Sequence, residues 1–316
     1  MESIRKVLIV GAGAVGSAVA GLIESKLPGS VSILANTERQ ERYRAEGFVL
    51  NGRPFSFECV GPGERSLPDL VLVAVKNAQL PAAIADMGSH VGPRTLILSL
   101  MNGIASEVEL AGAFGWDRVL YAMILGIDAV REGRRTSYST GGTIHFGEAR
   151  NPAGGWSEPV SRIADFFERS GVSYVVPEDM VRSLWYKFMI NVGINQCSAV
   201  LRAPYTLFQN SAEARRLMES VMREVVGLSV ALGTGLAEDD IAAWERTLGS
   251  LSPAGMTSML QDVLAERRTE VDSFAGEVVR LACRAGLSVP LNEALLLVIR
   301  AIESGFGGSS AAPSLS

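Results

Sequence analysis

Lysine is nearly absent. Of the chain's 29 basic residues only Lys6, Lys26, Lys76 and Lys187 are lysine, so positive charge is otherwise written as arginine. Arginine cannot give up its proton in a protein, which makes a lysine inside an apolar run worth explaining. Lys187 stands in such a run, and so does Lys76 at the end of Leu70-Val-Leu-Val-Ala-Val-Lys76-Asn77. A titratable or compact ammonium is one explanation; a head that snorkels to solvent is the other. Cysteine is scarce too: Cys59, Cys197 and Cys283 are scattered, odd in number and without CxxC spacing, which excludes a disulfide framework and a cysteine zinc site and fits a reducing cytoplasm. His90 and His145 have no partner at metal-ligand spacing, so no metal is expected. No run approaches the roughly 18 apolar residues of a membrane span. With a net charge of -5 and no basic stripe, nucleic acid is not an expected partner.

What is present is apolar content. At 316 residues and 47% hydrophobic composition the chain exceeds what one core usually organises, so two domains are expected. Arg5 and Lys6 before Val7 to Val10 mimic the start of a signal peptide, but glycines follow at motif spacing and no long apolar region develops.

The first half alternates β-rich apolar runs (Lys6 to Val10, Val31 to Ala35, Leu70 to Val75, Thr95 to Ser99, Arg118 to Ala122) with helical patterns, which predicts βαβ units and a parallel sheet. Thr136 to Phe146 reads as hairpin-like β, and Tyr174 to Val176 as one more strand. From Met180 the period is helical: Val181 to Leu201, Ser211 to Gly233, Ala237 to Leu248, Met256 to Glu266, Thr269 to Ala285 and Leu291 to Ser304. Pro177 punctuates the change. The expected fold is α/β plus all-α, with a dinucleotide-binding domain over 1–178 and a helical substrate domain over 179–316. The Gly305 to Ser316 tail has little to bury and is expected to be mobile.

Two patterns carry chemistry. Gly11-Ala-Gly13-Ala14-Val15-Gly16 directly follows an apolar strand and opens an alanine-rich helix, as the dinucleotide fingerprint requires. An acidic residue about 20 positions on would favour NAD; that place holds Asn36, with Thr37 and Arg39 close behind, which suits a 2′-phosphate and NADP, although Glu38 opposes it. The second pattern is Lys187, Asn191 and Asn195 at i, i+4 and i+8, one narrow stripe of an apolar helix. An amine and two amides on such a face need satisfying, and a small polar ligand would do so.

These residues, with Val75-Lys76, Asn102-Gly103, Ser258-Met-Leu-Gln-Asp262 and Thr269-Glu270-Val-Asp272, resemble in order the ketopantoate reductases, or 2-dehydropantoate 2-reductases. The resemblance spans nearly the whole chain. It implies a Rossmann domain, a helical domain like that of the phosphogluconate dehydrogenases with a cleft between them, and NADPH-dependent reduction of 2-dehydropantoate to pantoate in pantothenate biosynthesis. It further implies Lys187 as catalytic lysine, Glu270 as the glutamate supporting the site, and Asn102, Asn191, Asn195 and Ser258 as substrate contacts. Lys76 matches the lysine near the nicotinamide, and the cofactor set becomes Gly11, Gly13, Ala14, Val15, Gly16, Asn36, Arg39, Lys76, Asn102 and Glu270. Asn36 departs from the family's usual arginine, Met101 from its usual glutamine, and Ala203-Pro204-Tyr205 from a threonine-rich turn.

Hydride delivery to a ketone leaves charge on oxygen, so a cation and a proton are needed there; a lysine whose pKa is lowered by burial supplies both. Other roles stay open. Glu270 also suits a helix start with Thr269 as N-cap and Asp272 in the capping position; Ser258 and Asp262 also suit a solvated helix face, and Asn102-Gly103 a plain turn. Reduction of another small 2-keto acid and non-catalytic NADPH sensing are the alternative functions; a homodimer is plausible for a helical apolar domain.

Overall fold

Four consecutive buried residues, Val7–Val10 (β1), open the first unit, and such a run suits a parallel sheet covered on both faces. The computed structural model describes residues 3–306. After β1 come α1 (Ala14–Lys26), β2 (Val31–Leu34), α2 (Thr37–Glu46), β3 (Phe48–Leu50), β4 (Arg53–Phe55), β5 (Glu58–Val60), β6 (Leu70–Val73), α3 (Leu80–Met87) and β7 (Leu96–Ser99). Then follow α4 (Ser106–Phe114), β8 (Val119–Ile127), β9 (Val130–Glu132), β10 (Arg135–Ser137), β11 (Gly141–Gly147), α5 (Glu158–Ser170) and β12 (Tyr174–Val175).

The main sheet has the order β12-β11-β8-β7-β6-β1-β2-β5. Every neighbouring pair is parallel except β8 and β11. The chain therefore leaves β1 towards β2 on one side and returns to β6 on the other, which makes β1/β6 a topological switch point. The pleat divides β1 between two cores. Val7 and Ile9 join Val19 and Ile23 of α1 and Val160, Ile163, Phe166 and Phe167 of α5. Leu8 and Val10 join Leu80 and Met87 of α3 and Leu110 of α4. Burial of each such large side chain stabilises by about 1.5–3 kcal/mol.

A second sheet, β4-β3-β10-β9, was not legible in the sequence. It packs on α1, where Ser17 Oγ meets Thr136 Oγ1 at 2.9 Å. The hairpin expected over Thr136 to Phe146 is corrected by this arrangement. β10 pairs with β9 and β3, while β11 pairs with β8, so the two halves of that segment belong to different sheets.

Contacts divide the chain into Met1–Val181 and Arg182–Ser316. The second unit is helical: α6 (Met180–Ile190), which begins just before the division, a π-helical turn Asn191–Asn195, α7 (Gln196–Leu201), α8 (Tyr205–Asn210), α9 (Ala212–Leu232), α10 (Glu238–Ser250), α11 (Ser258–Leu264), α12 (Ala275–Ala285) and α13 (Pro290–Ser304). α9 starts where the Ser211 hydroxyl accepts the Ala214 amide and stops at Gly233 in the left-handed region. It packs against the π turn, α8, α10, α12 and α13. Among the described residues no helix is long and apolar enough to cross a membrane. The expectation of a mobile tail falls on 307–316, outside the described residues; Gly305 and Phe306 close a turn on the carbonyls of Ile302 and Glu303.

Candidate functional site

The β1–α1 turn of the first unit brings backbone very close to backbone. Gly11 has φ +100°, which L side chains avoid, and a Cβ there would lie 2.7 Å from the Ala74 carbonyl oxygen. At Gly16 a Cβ would overlap the Gly11 carbonyl oxygen. Gly13 differs: it is exposed, and a Cβ there would meet nothing within 4 Å. Gly13 is the N-cap of α1, no side chain caps that helix, and no acid sits in its first turn. The amides of Ala14, Val15 and Gly16 thus open a positive helix end beside free space. A pyrophosphate fits such a cradle.

The neighbouring strand ends carry the other predicted groups. Beyond β2, Asn36 Oδ1 accepts the Arg39 amide at 3.0 Å and caps α2; both residues are exposed. Beyond β6, Lys76 is exposed, and Asn77 Nδ2 donates to the Asn102 carbonyl at 3.2 Å. That bond ties the β6 loop to the β7 loop, where Gly103 takes φ +97°. Gly11, Asn36, Lys76 and Asn102 therefore follow the carboxyl ends of four adjacent strands, β7-β6-β1-β2, the edge on which open α/β sheets bind ligands.

In the second unit Lys187 and Asn191 are half-buried and Asn195 is 7% exposed. The expected continuous α-helix is corrected by the π turn over Asn191–Asn195. A four-residue step overshoots a full turn of α-helix by about 40° and undershoots the wider i→i+5 turn. The two drifts oppose each other, so Lys187, Asn191 and Asn195 keep to one line better than a straight α-helix would allow. Asn195 Nδ2 donates to Asn191 Oδ1 at 3.3 Å.

Ser258 is exposed at the start of α11, next to Thr257. The Thr257 hydroxyl bonds Ser198 Oγ, and Ser198 donates to the Asn195 carbonyl at 3.2 Å. Glu270 does not open α12, and the expected cap at Thr269 is corrected. The Thr269 hydroxyl donates to Glu303 at 2.6 Å and accepts the Val271 amide at 3.2 Å. A single 3-10 turn, Val271–Ser273, follows, and Phe274 (φ -107°, ψ -88°) breaks the chain before α12. The Phe274 ring lies 6.5 Å from that of Phe188, the neighbour of Lys187. The segments of Ser258 and Glu270 are thus fastened to the element that carries the lysine and amides. Asn77, Gln196, Ser198 and Thr257 hold these groups and were not singled out in the sequence; Thr257 alone carried a visible signal, as a cap residue ahead of a helical run.

One ammonium with two amides on a line can bind a carboxylate or hydroxyl and place a proton beside a carbonyl. Known proteins resemble this chain over nearly its whole length. The model of ketopantoate reductase PanE/ApbA matches residues 7–151, and that of the ketopantoate reductase PanE/ApbA C terminal matches 179–303. A 2-dehydropantoate 2-reductase of Pyrococcus horikoshii is 27% identical over 312 residues, 96% of this chain and 99% of the relative. The crystal structure of a PanE/ApbA family ketopantoate reductase from Ralstonia eutropha is 26% identical with a TM-score of 0.80, over 95% of this chain and 98% of its own. A D-mandelate dehydrogenase solved with NADH and anilino(oxo)acetate shares the fold, with a TM-score of 0.83 at 20% identity over 95% of this chain and 99% of its own.

Proposed function

The chain belongs to the ketopantoate reductase family of NADP-dependent oxidoreductases, and from that premise we propose that it reduces 2-dehydropantoate to pantoate with NADPH. The observation that carries this substrate class is the alignment of Lys187, Asn191 and Asn195 along α6 and its π turn. NADPH, when bound, supplies the hydride. The backbone of Gly13 and the α1 amides at Ala14, Val15 and Gly16 hold its pyrophosphate, and Asn36 and Arg39 bind the 2′-phosphate. Lys76 and Asn102 line the nicotinamide side of the same sheet edge.

Lys187 Nζ donates to the keto oxygen as negative charge develops there and gives up its proton. Asn191, Asn195 and Ser258 bind the hydroxyl and carboxylate groups, each able to donate and accept without adding charge. Glu270 supports the lysine. Another small 2-keto acid is the second possibility, since a D-mandelate dehydrogenase shares the fold. A homodimer belongs to the same proposal: Ala294, Leu297, Val298 and Ala301 form an exposed apolar stripe at i, i+3, i+4 and i+7 on α13. Light scattering checks it.

The test is NADPH oxidation with a panel of 2-keto acids, 2-dehydropantoate and an aromatic 2-keto acid among them. 2-Dehydropantoate is expected to have the highest kcat/KM, and Lys187→Ala is expected to lose at least about a hundredfold in kcat. Turnover of Lys187→Ala near the parent level sinks the assignment of the lysine, and preference for the aromatic acid transfers the function to the second possibility.

A further inference from the structure

We infer that Gln196 is a positioning residue for the proposed reduction, holding the π turn that aligns Asn191 and Asn195 with Lys187. This role rests on that reduction. Gln196 is 0% exposed, so both ends of its amide must find partners inside the protein. Where a π turn, with its i→i+5 bonds, passes back into an α-helix, the hydrogen-bond register shifts by one residue and one carbonyl is left without its backbone amide. Here that carbonyl is Val192. The Gln196 amide, which would serve it in a regular helix, goes to the Gly193 carbonyl instead. The Gln196 side chain takes the place: Nε2 donates to the Val192 carbonyl at 2.8 Å.

The rest of the side chain anchors this substitution. Gln196 Oε1 accepts the Ala275 amide at 3.2 Å, at the start of α12. Its Nε2 also reaches Asn292 Oδ1 at 3.3 Å, and Asn292, itself 0% exposed, donates to Glu224 Oε2 at 2.8 Å. Glu224 in turn accepts the amides of Leu291 and Asn292, at 2.8 and 3.0 Å, where α13 begins. A single polar chain thus fastens the π turn to α9, α12 and α13. From the other side, Gly193 admits Met222 of α9 into space that a Cβ would fill. A relaxed turn would restore the α register and rotate Asn195 away from the line of Lys187. Gln196 would then act on substrate without touching it.

The experiment compares Gln196→Met, which keeps the shape and loses both hydrogen-bonding ends, with the parent. It measures kcat and KM for 2-dehydropantoate, NADPH affinity by fluorescence titration, and cooperative melting. The expected result is a keto-acid KM raised about tenfold or more and kcat lowered, with NADPH Kd within about twofold. In an Asn195→Ala background the same change is expected to add less than about twofold, because the two residues act as one unit. A folded Gln196→Met with parent-like kcat and KM overturns the inference, and so does a penalty that multiplies in full in the Asn195→Ala background. Should Gln196→Met fail to fold, Gln196→Glu is judged by the same criteria; failure of both assigns Gln196 to folding alone and also overturns it. A parent chain that reduces no 2-keto acid removes the proposed reduction instead, and this role falls with it.

Discussion

Gly13→Ala and Gly16→Ala are predicted to fail in opposite ways, although both add one methyl to the same turn. At Gly13 the backbone is extended (φ -74°, ψ -159°), a conformation alanine adopts freely, and the methyl meets no atom within 4 Å. Alanine at an N-cap is worse than glycine by some tenths of a kcal/mol or more, while the stiffer unfolded chain returns about 0.4–1 kcal/mol. The two nearly cancel, and the shift in Tm is expected to stay within roughly 4 °C, at about 2–4 °C per kcal/mol for a unit of this size. The methyl does stand in the approach to the α1 amides. Loss of one hydrogen bond to a charged group costs about 1.5–3 kcal/mol, which raises NADPH Kd roughly ten- to a hundredfold. At Gly16 the methyl overlaps the Gly11 carbonyl oxygen and presses on Ala74 Cβ at 3.3 Å. Backbone cannot swing aside, so α1 must lift from the sheet. Such overpacking costs about 1–3 kcal/mol, or roughly 2–12 °C in Tm. Circular dichroism melts and fluorescence titration with NADPH measure the two effects separately. Parent-like NADPH affinity in a folded Gly13→Ala refutes the cradle, and an unchanged Tm in Gly16→Ala refutes the close approach of helix and strand.

Asn36→Asp keeps the α2 cap, since asparagine and aspartate serve that position about equally, but sets a charge against the 2′-phosphate. Its Tm is expected to match the parent while the NADPH Kd rises roughly tenfold or more relative to that of NADH; an unchanged ratio in a two-cofactor titration removes Asn36 from the phosphate site. Burial pushes the Cys197 thiol up to about 12, whereas Cys283 is exposed. At pH 8 a thiol reagent followed by mass spectrometry should therefore label Cys283 first and spare Cys197 until the chain unfolds, and early labelling of Cys197 contradicts its burial. The folded value of Cys197 lies above the usual 9.0, so its contribution to stability is full below about pH 9 and is lost as pH climbs towards about 12.

The parallel strands were legible because they are buried on both faces and so form unbroken apolar runs, as Val7–Val10 and Leu70–Val73 do. The long amphipathic helix α9 announced itself by its period and by Ser211 and Gly233 at its ends. The second sheet offered no such signal. β3, β4, β9 and β10 are three residues each, too short for any alternation to show, and partners such as Val49 and Arg135 are far apart in sequence. The false hairpin over Thr136 to Phe146 has the same cause: a local pattern reports that a segment is extended, not which strand it joins.

At the lysine stripe the sequence was partly misleading for a physical reason. Lys187, Asn191 and Asn195 at four-residue spacing look like one face of an α-helix, and a π turn of five residues leaves that spacing unchanged. The clues lay in residues whose meaning is tertiary. Gly193, which ordinarily weakens a helix interior, is required because Met222 fills the space beside it. Gln196, one more polar side chain in an apolar run, donates to the Val192 carbonyl that its own backbone amide leaves. Glu270 shows the converse. Thr269 reads as a helix cap, yet its hydroxyl is committed to Glu303, 34 residues away, and a contact of that range overrides the local preference. Side chains that bear chemistry can be read from residue type and spacing; the turns that aim them are set by buried partners whose sequence neighbours give no hint of them.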